Sequence, residues 1–185
     1  MNPIEHLLIS WAVAEATPLE RRDRAIVTLA GLAPDLDAFG LLPELATRGT
    51  SHELYWWTDY HHILGHNIAF AAICTAVAAL LARARARTAM LACVTFHLHL
   101  LGDLIGARGP DGFQWPIPYL LPFSNAWQWS WDGQWALNAW QNFAITIPLL
   151  ALALWLAWRR GESPVEIFSA RANEAFVRTL RARFG

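Results

Sequence analysis

Residues 136–158 read ALNAWQNFAITIPLLALALWLAW, a run of 23 residues without a charged side chain. A helix of that length spans the hydrocarbon core of a bilayer, which is about 30 Å thick. Trp140 lies near one end of the run, and Trp155 and Trp158 lie at the other end, just before Arg159. Tryptophan followed by arginine is typical of a helix that ends at a membrane interface. The sequence therefore predicts association with a membrane bilayer.

Helical periodicity dominates the rest of the chain, and strand-like alternation is nearly absent. We therefore predict an all-α fold, an antiparallel bundle of about five to six helices that is partly embedded in the membrane. Residues 1–160 would form the bundle, and residues 161–185 would carry a separate amphipathic helix. The predicted helices cover residues 4–16, 19–33, 60–83, 87–105, 133–160 and 164–183, with irregular segments at 38–58 and 106–130.

Composition excludes several classes of function. The formal net charge is −1 over 185 residues, so the chain does not have the basic surface of a nucleic-acid-binding protein. The two cysteines, Cys74 and Cys93, both lie in apolar helical runs, where we expect small buried side chains. The sequence therefore predicts neither a disulfide framework nor a cysteine-ligated zinc site.

Histidine and aspartate are concentrated in three short motifs: PDLD at 34–37, YHHILGH at 60–66 and HLHLLGD at 97–103. His99 and Asp103 are four residues apart, so they share one face of a helix. Imidazole and carboxylate groups are the ligands of hydrolytic metal sites, in which one position stays open for water. Such groups are costly to bury without partners. The motifs indicate either a metal site or a structural network of His–Asp hydrogen bonds.

The antiparallel arrangement separates the candidate ligands from the basic residues. By the positive-inside rule, the arginine end would lie in the cytoplasm and the site would face outward. One end of the predicted bundle collects His6, Asp35, Asp37, His61, His66 and Asp103, with His99 one turn below. The other end collects Arg21, Arg22, Arg24, Arg83, Arg85, Arg87, Arg159 and Arg160.

Spacing alone leaves several assignments open. It does not choose between His61 and His62 as the partner of His66. His97 points away from His99, so we expect it to serve packing. His6 faces away from an apolar stripe on its helix, so an exposed histidine is a serious alternative to a ligand. Asp37 could instead cap a following turn.

The order of these motifs resembles the membrane-bound metal-dependent hydrolases, a family that includes the LexA-binding inner-membrane-associated hydrolases. The resemblance covers roughly residues 1–158. It rests on His6, the PDLD motif, an H-x4-H pair, an H-x3-D pair and the stretch WPIPYLLPFS at 115–124. The PDxD and H-x3-D elements are also distantly similar to zinc-dependent phospholipase C enzymes, which use a helical bundle and several zinc ions.

The resemblance implies the identity of the site residues. It selects His61 over His62, because the family pattern has arginine at position 62 and threonine at position 65, where this chain has Gly65. The later His-x3-Glu pair of the phospholipases is missing, so we expect one or two metal ions rather than three. The implied metal ligands are His6, Asp35, His61, His66, His99 and Asp103, and the implied catalytic residues are Asp37 and His61.

These observations favour a metal-dependent hydrolase of the bacterial inner membrane, with a phosphoester, such as a lipid-like one, as substrate. Asp35, His66, His99 and Asp103 are the first candidates for ligands of a divalent metal, with zinc expected. His6, Asp37 and His61 would bind a second ion or act as orienting groups and general base. One rival is a non-enzymatic membrane protein in which a structural metal site or His–Asp network serves partner binding. Another is an interaction protein that docks a cytoplasmic partner through residues 164–183.

Overall fold

The computed structural model describes residues 1–109 and 112–185; Pro110 and Asp111, in the predicted loop, lie outside the described residues. The all-α prediction is confirmed, because the described residues form helices and two isolated bridges but no strand. Two 3-10 helices cover Ala33–Gly40 and Pro164–Ile167. The α-helices are α1 (Pro3–Glu15), α2 (Arg21–Ala30), α3 (Leu41–Thr47), α4 (Trp56–Tyr60), α5 (Ile68–Leu81), α6 (Arg85–Gly106), α7 (Trp140–Arg160) and α8 (Ala170–Phe184).

Local signals in the sequence account for several helix ends. At the start of α1 the Asn2 side chain accepts hydrogen bonds from two backbone amides, and the Glu5 carboxylate accepts one from the amide of Asn2, which forms a capping box. Asn67 caps α5 by accepting from the amide of Phe70 at 3.0 Å. α7 ends at Gly161, whose φ of 81° is favourable only for glycine.

Four predicted boundaries are wrong. The predicted helix at 60–83 begins only at Ile68, because residues 61–67 form turns in which His62 has a φ of 68°. The segment 38–58, predicted to be irregular, contains the short helices α3 and α4. The predicted helix at 133–160 begins at Trp140. The predicted helix at 164–183 is a 3-10 turn followed by α8, which Ser169 caps at 3.2 Å.

Helix α6 is the centre of the bundle. It packs against α1, α2 and α5, while α7 packs against α1 and α8. On the face towards α5, Phe96 and Leu100 are fully buried and contact Ala71 and Ile117. Burial of each large side chain of this kind is worth about 1.5–3 kcal/mol. The apolar core therefore fixes the position of the helix that carries His99 and Asp103.

Within the described part of the chain, two helices are long and apolar enough to cross a membrane: α6, with 22 residues, and α7, with 21. A third candidate is α2 together with residues 33–47, which form a pair bent by 51°. Helix α2 alone, with 10 residues, is too short to cross a bilayer. Within the apolar window, α6 is 56% buried and α7 only 22%. Helix α7 thus presents most of its apolar surface outward, including Trp140, which is 73% exposed.

Candidate metal centre

His99 and Asp103 face the same buried space from adjacent turns of α6. His99 Nε2 lies 2.9 Å from Asp103 Oδ2, as expected for an i, i+4 pair. His99 Nδ1 donates a hydrogen bond to the carbonyl oxygen of Gly31 at 2.8 Å, just beyond the end of α2. Because a carbonyl oxygen only accepts, Nδ1 carries the proton and Nε2 of the neutral ring has a free lone pair. The backbone of α2 therefore orients His99 as a ligand.

His66 reaches the same space from the turn that precedes α5. Its Nε2 lies 3.2 Å from Asp103 Oδ2 and 3.3 Å from His99 Nε2. Its Nδ1 donates to Asp37 Oδ2 at 3.1 Å. Asp37 also accepts from His61 Nδ1 at 2.8 Å and from the amide of Gly65 at 3.1 Å. Asp37 therefore orients two histidines, which is the role that carboxylates behind metal-bound histidines commonly have.

Four groups converge closely enough to hold one metal ion. One oxygen or nitrogen from each of Asp35, His66, His99 and Asp103 lies within 4.8 Å of every other. Asp35 Oδ1 is 3.5 Å from His99 Nε2, and its Oδ2 is buried without a hydrogen-bond partner among the described residues. A buried oxygen without a partner and two imidazole nitrogens fit a divalent cation such as zinc. We call these four residues the metal cluster.

His6 lies against the metal cluster rather than at the surface. It is 2% exposed, so the alternative of an exposed histidine is wrong. Its Nε2 lies 3.0 Å from Asp103 Oδ1, and its ring stacks on His99 with the centroids 3.6 Å apart. The α-amino group of Met1 also donates to Asp103 Oδ1. The face of α1 that carries His6 therefore covers one side of the metal cluster.

The structure brings both His61 and His62 to the site. His62 Nε2 lies 3.6 Å from Asp103 Oδ2, and its Nδ1 donates to the carbonyl of Trp115 at 3.3 Å. Spacing treated these two histidines as alternatives, and the resemblance selected His61 only. The positive φ of His62 reverses the chain between them, so one histidine binds Asp37 and its neighbour faces Asp103.

Burial and hydrogen bonds shift the pKa values of three site histidines that lie outside the membrane-spanning segments. Burial, with a smaller contribution from His99, lowers the pKa of His6 to about 4, so its imidazole is neutral at pH 7. Burial also lowers the pKa of His62. Burial acts in the same direction on His66, but hydrogen bonds to Asp103 and Asp37 outweigh it and raise the pKa.

Gly65 allows the close approach of two motifs. A Cβ atom at this position would lie 2.1 Å from the carbonyl oxygen of Pro34, so the backbone of PDLD leaves no room for a side chain. The chain has glycine here where the related pattern has threonine. This contact brings Asp35 and Asp37 next to His66.

Two other sequence assignments lie outside the cluster. His97 packs as predicted: its Nδ1 donates to the carbonyl of Cys93 at 2.7 Å, and its Nε2 lies 2.8 Å from the hydroxyl of Tyr119. Cys74 and Cys93 form no disulfide, but both are half-buried rather than fully buried as expected. Cys93 Sγ lies 3.7 Å from His97 Nδ1.

A cavity of about 370 Å³ adjoins the site through His61. The ring of Trp115 meets those of His61 and His62 edge-on, at centroid distances of 4.9 Å and 5.3 Å. Within the described residues, His61 Nε2 has no hydrogen-bond partner, since Asp37 binds only Nδ1. His61 thus connects the buried cluster with a space that is large enough for a small ligand.

The opposite end of the bundle carries an ionic network, as the antiparallel arrangement predicted for the arginines. Arg24, at the start of α2, contacts Glu162 at 2.7 Å and Glu166 at 2.8 Å. Arg160, at the end of α7, contacts Glu15 at 3.1 Å. This network ties the segment after α7 to α1 and α2.

Comparison with known proteins places the chain in a family. A sequence model of the YdjM inner membrane protein family matches residues 1–172. The chain belongs to this family. The match confirms an inner membrane protein, and it covers every histidine and aspartate of the site as well as α1–α7. Most of α8 lies beyond it. No curated protein and no solved structure is significantly similar to the chain.

Proposed function

We propose that this YdjM-family protein is a metal-dependent hydrolase of the inner membrane that acts on a phosphoester. The observation that carries the proposal is the convergence of two imidazoles and two carboxylates within 4.8 Å, one carboxylate oxygen being buried without a partner. Asp35, His66, His99 and Asp103 would hold the ion. A divalent ion held there would polarise the phosphoryl group and make a water molecule more acidic.

His61 would transfer the proton in this reaction. Its Nδ1 is held by Asp37 at 2.8 Å, which leaves Nε2 for chemistry. The ring lines the cavity and lies 5.7 Å, between centroids, from the ring of His66. In the attack step, Nε2 would accept a proton from water as the oxygen adds to phosphorus; the same proton would later reach the leaving oxygen. Asp37 would stabilise the protonated ring, as an orienting carboxylate does in other His–Asp pairs.

The substrate would approach from the outer side of the membrane. The arginine-rich end of the bundle, where Arg24 and Arg160 lie, would face the cytoplasm by the positive-inside rule. The metal cluster lies near the opposite ends of α1, α2 and α6. The cavity beside it is lined in part by apolar side chains, including Leu121 and Phe113, the latter exposed. Such a rim suits a substrate with a lipid portion.

The first test measures metal content. The purified protein and a His99→Ala variant would be analysed by inductively coupled plasma mass spectrometry, with His97→Ala as the matched control on the same helix. We expect one to two equivalents of zinc or another divalent ion in the wild type and in the control, and loss of the ion in His99→Ala with unchanged helix content. A wild-type protein that binds no ion after reconstitution would contradict the proposal.

The second test measures hydrolysis. The metal-loaded protein in maltoside detergent would be assayed with bis(p-nitrophenyl) phosphate, a monoanionic phosphodiester. We expect His61→Gln to lose activity by about 100-fold or more while it keeps its metal, since general acid–base groups contribute about 10²–10⁴-fold. Equal activity in His61→Gln and the wild type would remove His61 from the reaction.

A second function is favoured by one observation. Asp103 oxygens lie 3.0, 3.2 and 2.9 Å from the Nε2 atoms of His6, His66 and His99, so the cluster could serve as a structural network. In that case removal of metal would unfold the protein or leave it unaffected, and no phosphoester would be cleaved. Docking of a cytoplasmic partner through residues 164–183 stays a prediction.

A further inference from the structure

The cavity beside His61 is poor in positive charge. Among the described residues, its lining includes a single acidic side chain, Asp59, and neither arginine nor lysine. Apart from His61, the remaining described lining is aromatic, aliphatic or uncharged polar, and includes Trp115, Asn125 and Gln128. A cavity for a strongly anionic group would be expected to contain arginine or lysine.

The arginines near this end of the bundle make their contacts outside this cavity. Arg108 donates to the carbonyl of Asp132 at 2.7 Å. Arg48 lines a different cavity, which also contains Glu44 and Glu53. The position next to His61 is His62, whose Nδ1 donates to the carbonyl of Trp115. Among the described residues, the cavity lining therefore has no permanently cationic side chain to neutralise an anion.

The lining is instead suited to neutral or cationic groups. Aromatic faces such as that of Trp115 attract ammonium groups, and a carboxylate such as that of Asp59 adds to this attraction. Gln128 donates to Asn125 Oδ1 at 3.0 Å, so these amides form a fixed polar edge of the cavity. An anionic group placed in this space would meet Asp59, with no arginine or lysine among the described lining residues to compensate.

We propose that this cavity binds the leaving group of the phosphoester and selects an uncharged or positively charged group over a negatively charged one. Asp59 is the residue that sets this preference. The inference rests on the proposed function for the position of the phosphoryl group at the metal cluster, but the preference of the cavity can be measured by binding alone. Asp59 acts on specificity and takes no part in bond cleavage.

The test uses three ligands that share a phosphate and differ at the far end. Phosphoethanolamine ends in an ammonium group, propyl phosphate in a methyl group and 2-carboxyethyl phosphate in a carboxylate. Their affinities for the metal-loaded protein in maltoside detergent would be measured by isothermal titration calorimetry. We expect the ammonium ligand to bind about fivefold more tightly than the carboxylate ligand, the upper range for one exposed charge pair, with the methyl ligand between them.

Two variants separate the cavity from general charge effects. Asp59→Asn should bring the three affinities together, whereas Asp132→Asn, which removes an exposed acid outside the cavity lining, should leave the order unchanged. Tighter binding of the carboxylate ligand, equal binding of all three or no binding by the wild type would overturn the preference. If the order holds but no phosphoester is cleaved, the cavity assignment stands and the hydrolase proposal fails.

Discussion

Asp37 accepts a hydrogen bond from His66 Nδ1 at 3.1 Å, and this bond decides which nitrogen of His66 faces the metal cluster. Replacement of Asp37 by asparagine keeps the size of the side chain but removes its charge and one acceptor oxygen. We expect Asp37→Asn to weaken metal affinity by about 10- to 100-fold, the usual effect of losing a carboxylate behind a metal-bound histidine. Competition with a chelating dye would measure it.

The control for this variant is Asp132→Asn, because Asp132 is an exposed acid on the loop between α6 and α7. Its metal affinity should equal that of the wild type. Unchanged affinity in Asp37→Asn would mean that His66 keeps its orientation without the carboxylate, and the assignment of Asp37 would then be wrong.

Gly65→Ala should disturb the site through the backbone. The new Cβ would lie 2.1 Å from the carbonyl oxygen of Pro34, a distance that requires the PDLD segment to move. Forced shifts of this kind cost about 1–3 kcal/mol. We expect a lower melting temperature by differential scanning fluorimetry, together with reduced metal content, since Asp35 would move with Pro34. A variant with wild-type stability and full metal content would show that the two segments separate freely.

Hydrogen bonds of the Asn142 side chain attach the loop between α6 and α7 to the bundle. It accepts a hydrogen bond from Trp135 Nε1 at 2.7 Å and donates to the carbonyls of Gly106 and Leu137 at 3.1 and 2.8 Å. Asn142→Leu would leave three polar groups without this partner, and the one that is buried, the carbonyl of Gly106, would cost about 1–3 kcal/mol. We expect a lower melting temperature and faster tryptic cleavage after Arg108. The exposed Asn138, as Asn138→Leu, provides the control and should behave like the wild type.

Glu15 makes stability depend on pH. Its side chain is 3% exposed, and burial, followed by the neighbouring Glu162, raises its pKa above 4.5. The other charged groups around it are Glu166, Arg24 and Arg160, so three carboxylates face two guanidinium groups. Between pH 4.5 and the raised pKa, the folded protein binds more protons than the unfolded chain. The stabilisation is therefore complete below pH 4.5 and is lost as pH rises through the raised pKa.

Glu15→Gln removes this dependence. At pH 7.5 the variant should melt about 2–4 °C above the wild type, the shift that corresponds to about 1 kcal/mol in a chain of this size. At pH 4.5 the two proteins should melt together. Glu20→Gln changes an exposed acid at the same end of the bundle. Its melting temperature relative to the wild type should be the same at pH 4.5 and pH 7.5. A destabilised Glu15→Gln at pH 7.5 would mean that the ionised carboxylate is favourable.

Part of the site could be predicted from sequence because helix geometry determines it. The four-residue separation of His99 and Asp103 places both on one face of α6, as observed. The contribution of His62 could not be predicted in this way. On a helix His61 and His62 would point about 100° apart, whereas the positive φ of His62 turns both towards the site. The spacing of residues along the sequence does not predict that backbone conformation.

The fold likewise has features that the sequence predicted and features that it did not. The uncharged run near the C-terminus predicted α7, but its first four residues lie outside the helix, where Asn142 donates to the carbonyl of Leu137. Gly40, Pro43 and Gly49 suggested an irregular segment. In the structure Glu44 accepts from the amides of Trp57 and Thr58, both at 3.0 Å, and so stabilises the start of α4 from 13 residues away. A cap supplied by a distant residue is not visible in local sequence.

His99 is oriented by a peptide carbonyl, that of Gly31, and not by a side chain. Substitution can delete the carboxylate behind His66, but none can delete an oxygen of the main chain. A side chain at position 31 would instead place its Cβ 2.7 Å from Ser10 Cβ and 1.9 Å from Ser10 Oγ. In a saturation library selected for metal retention, position 37 should thus tolerate residues that can receive a hydrogen bond, such as asparagine, with weakened metal affinity, while position 31 should accept glycine alone. The residues tolerated at positions 37 and 31 would then distinguish His66 from His99, although both histidines would bind the metal ion.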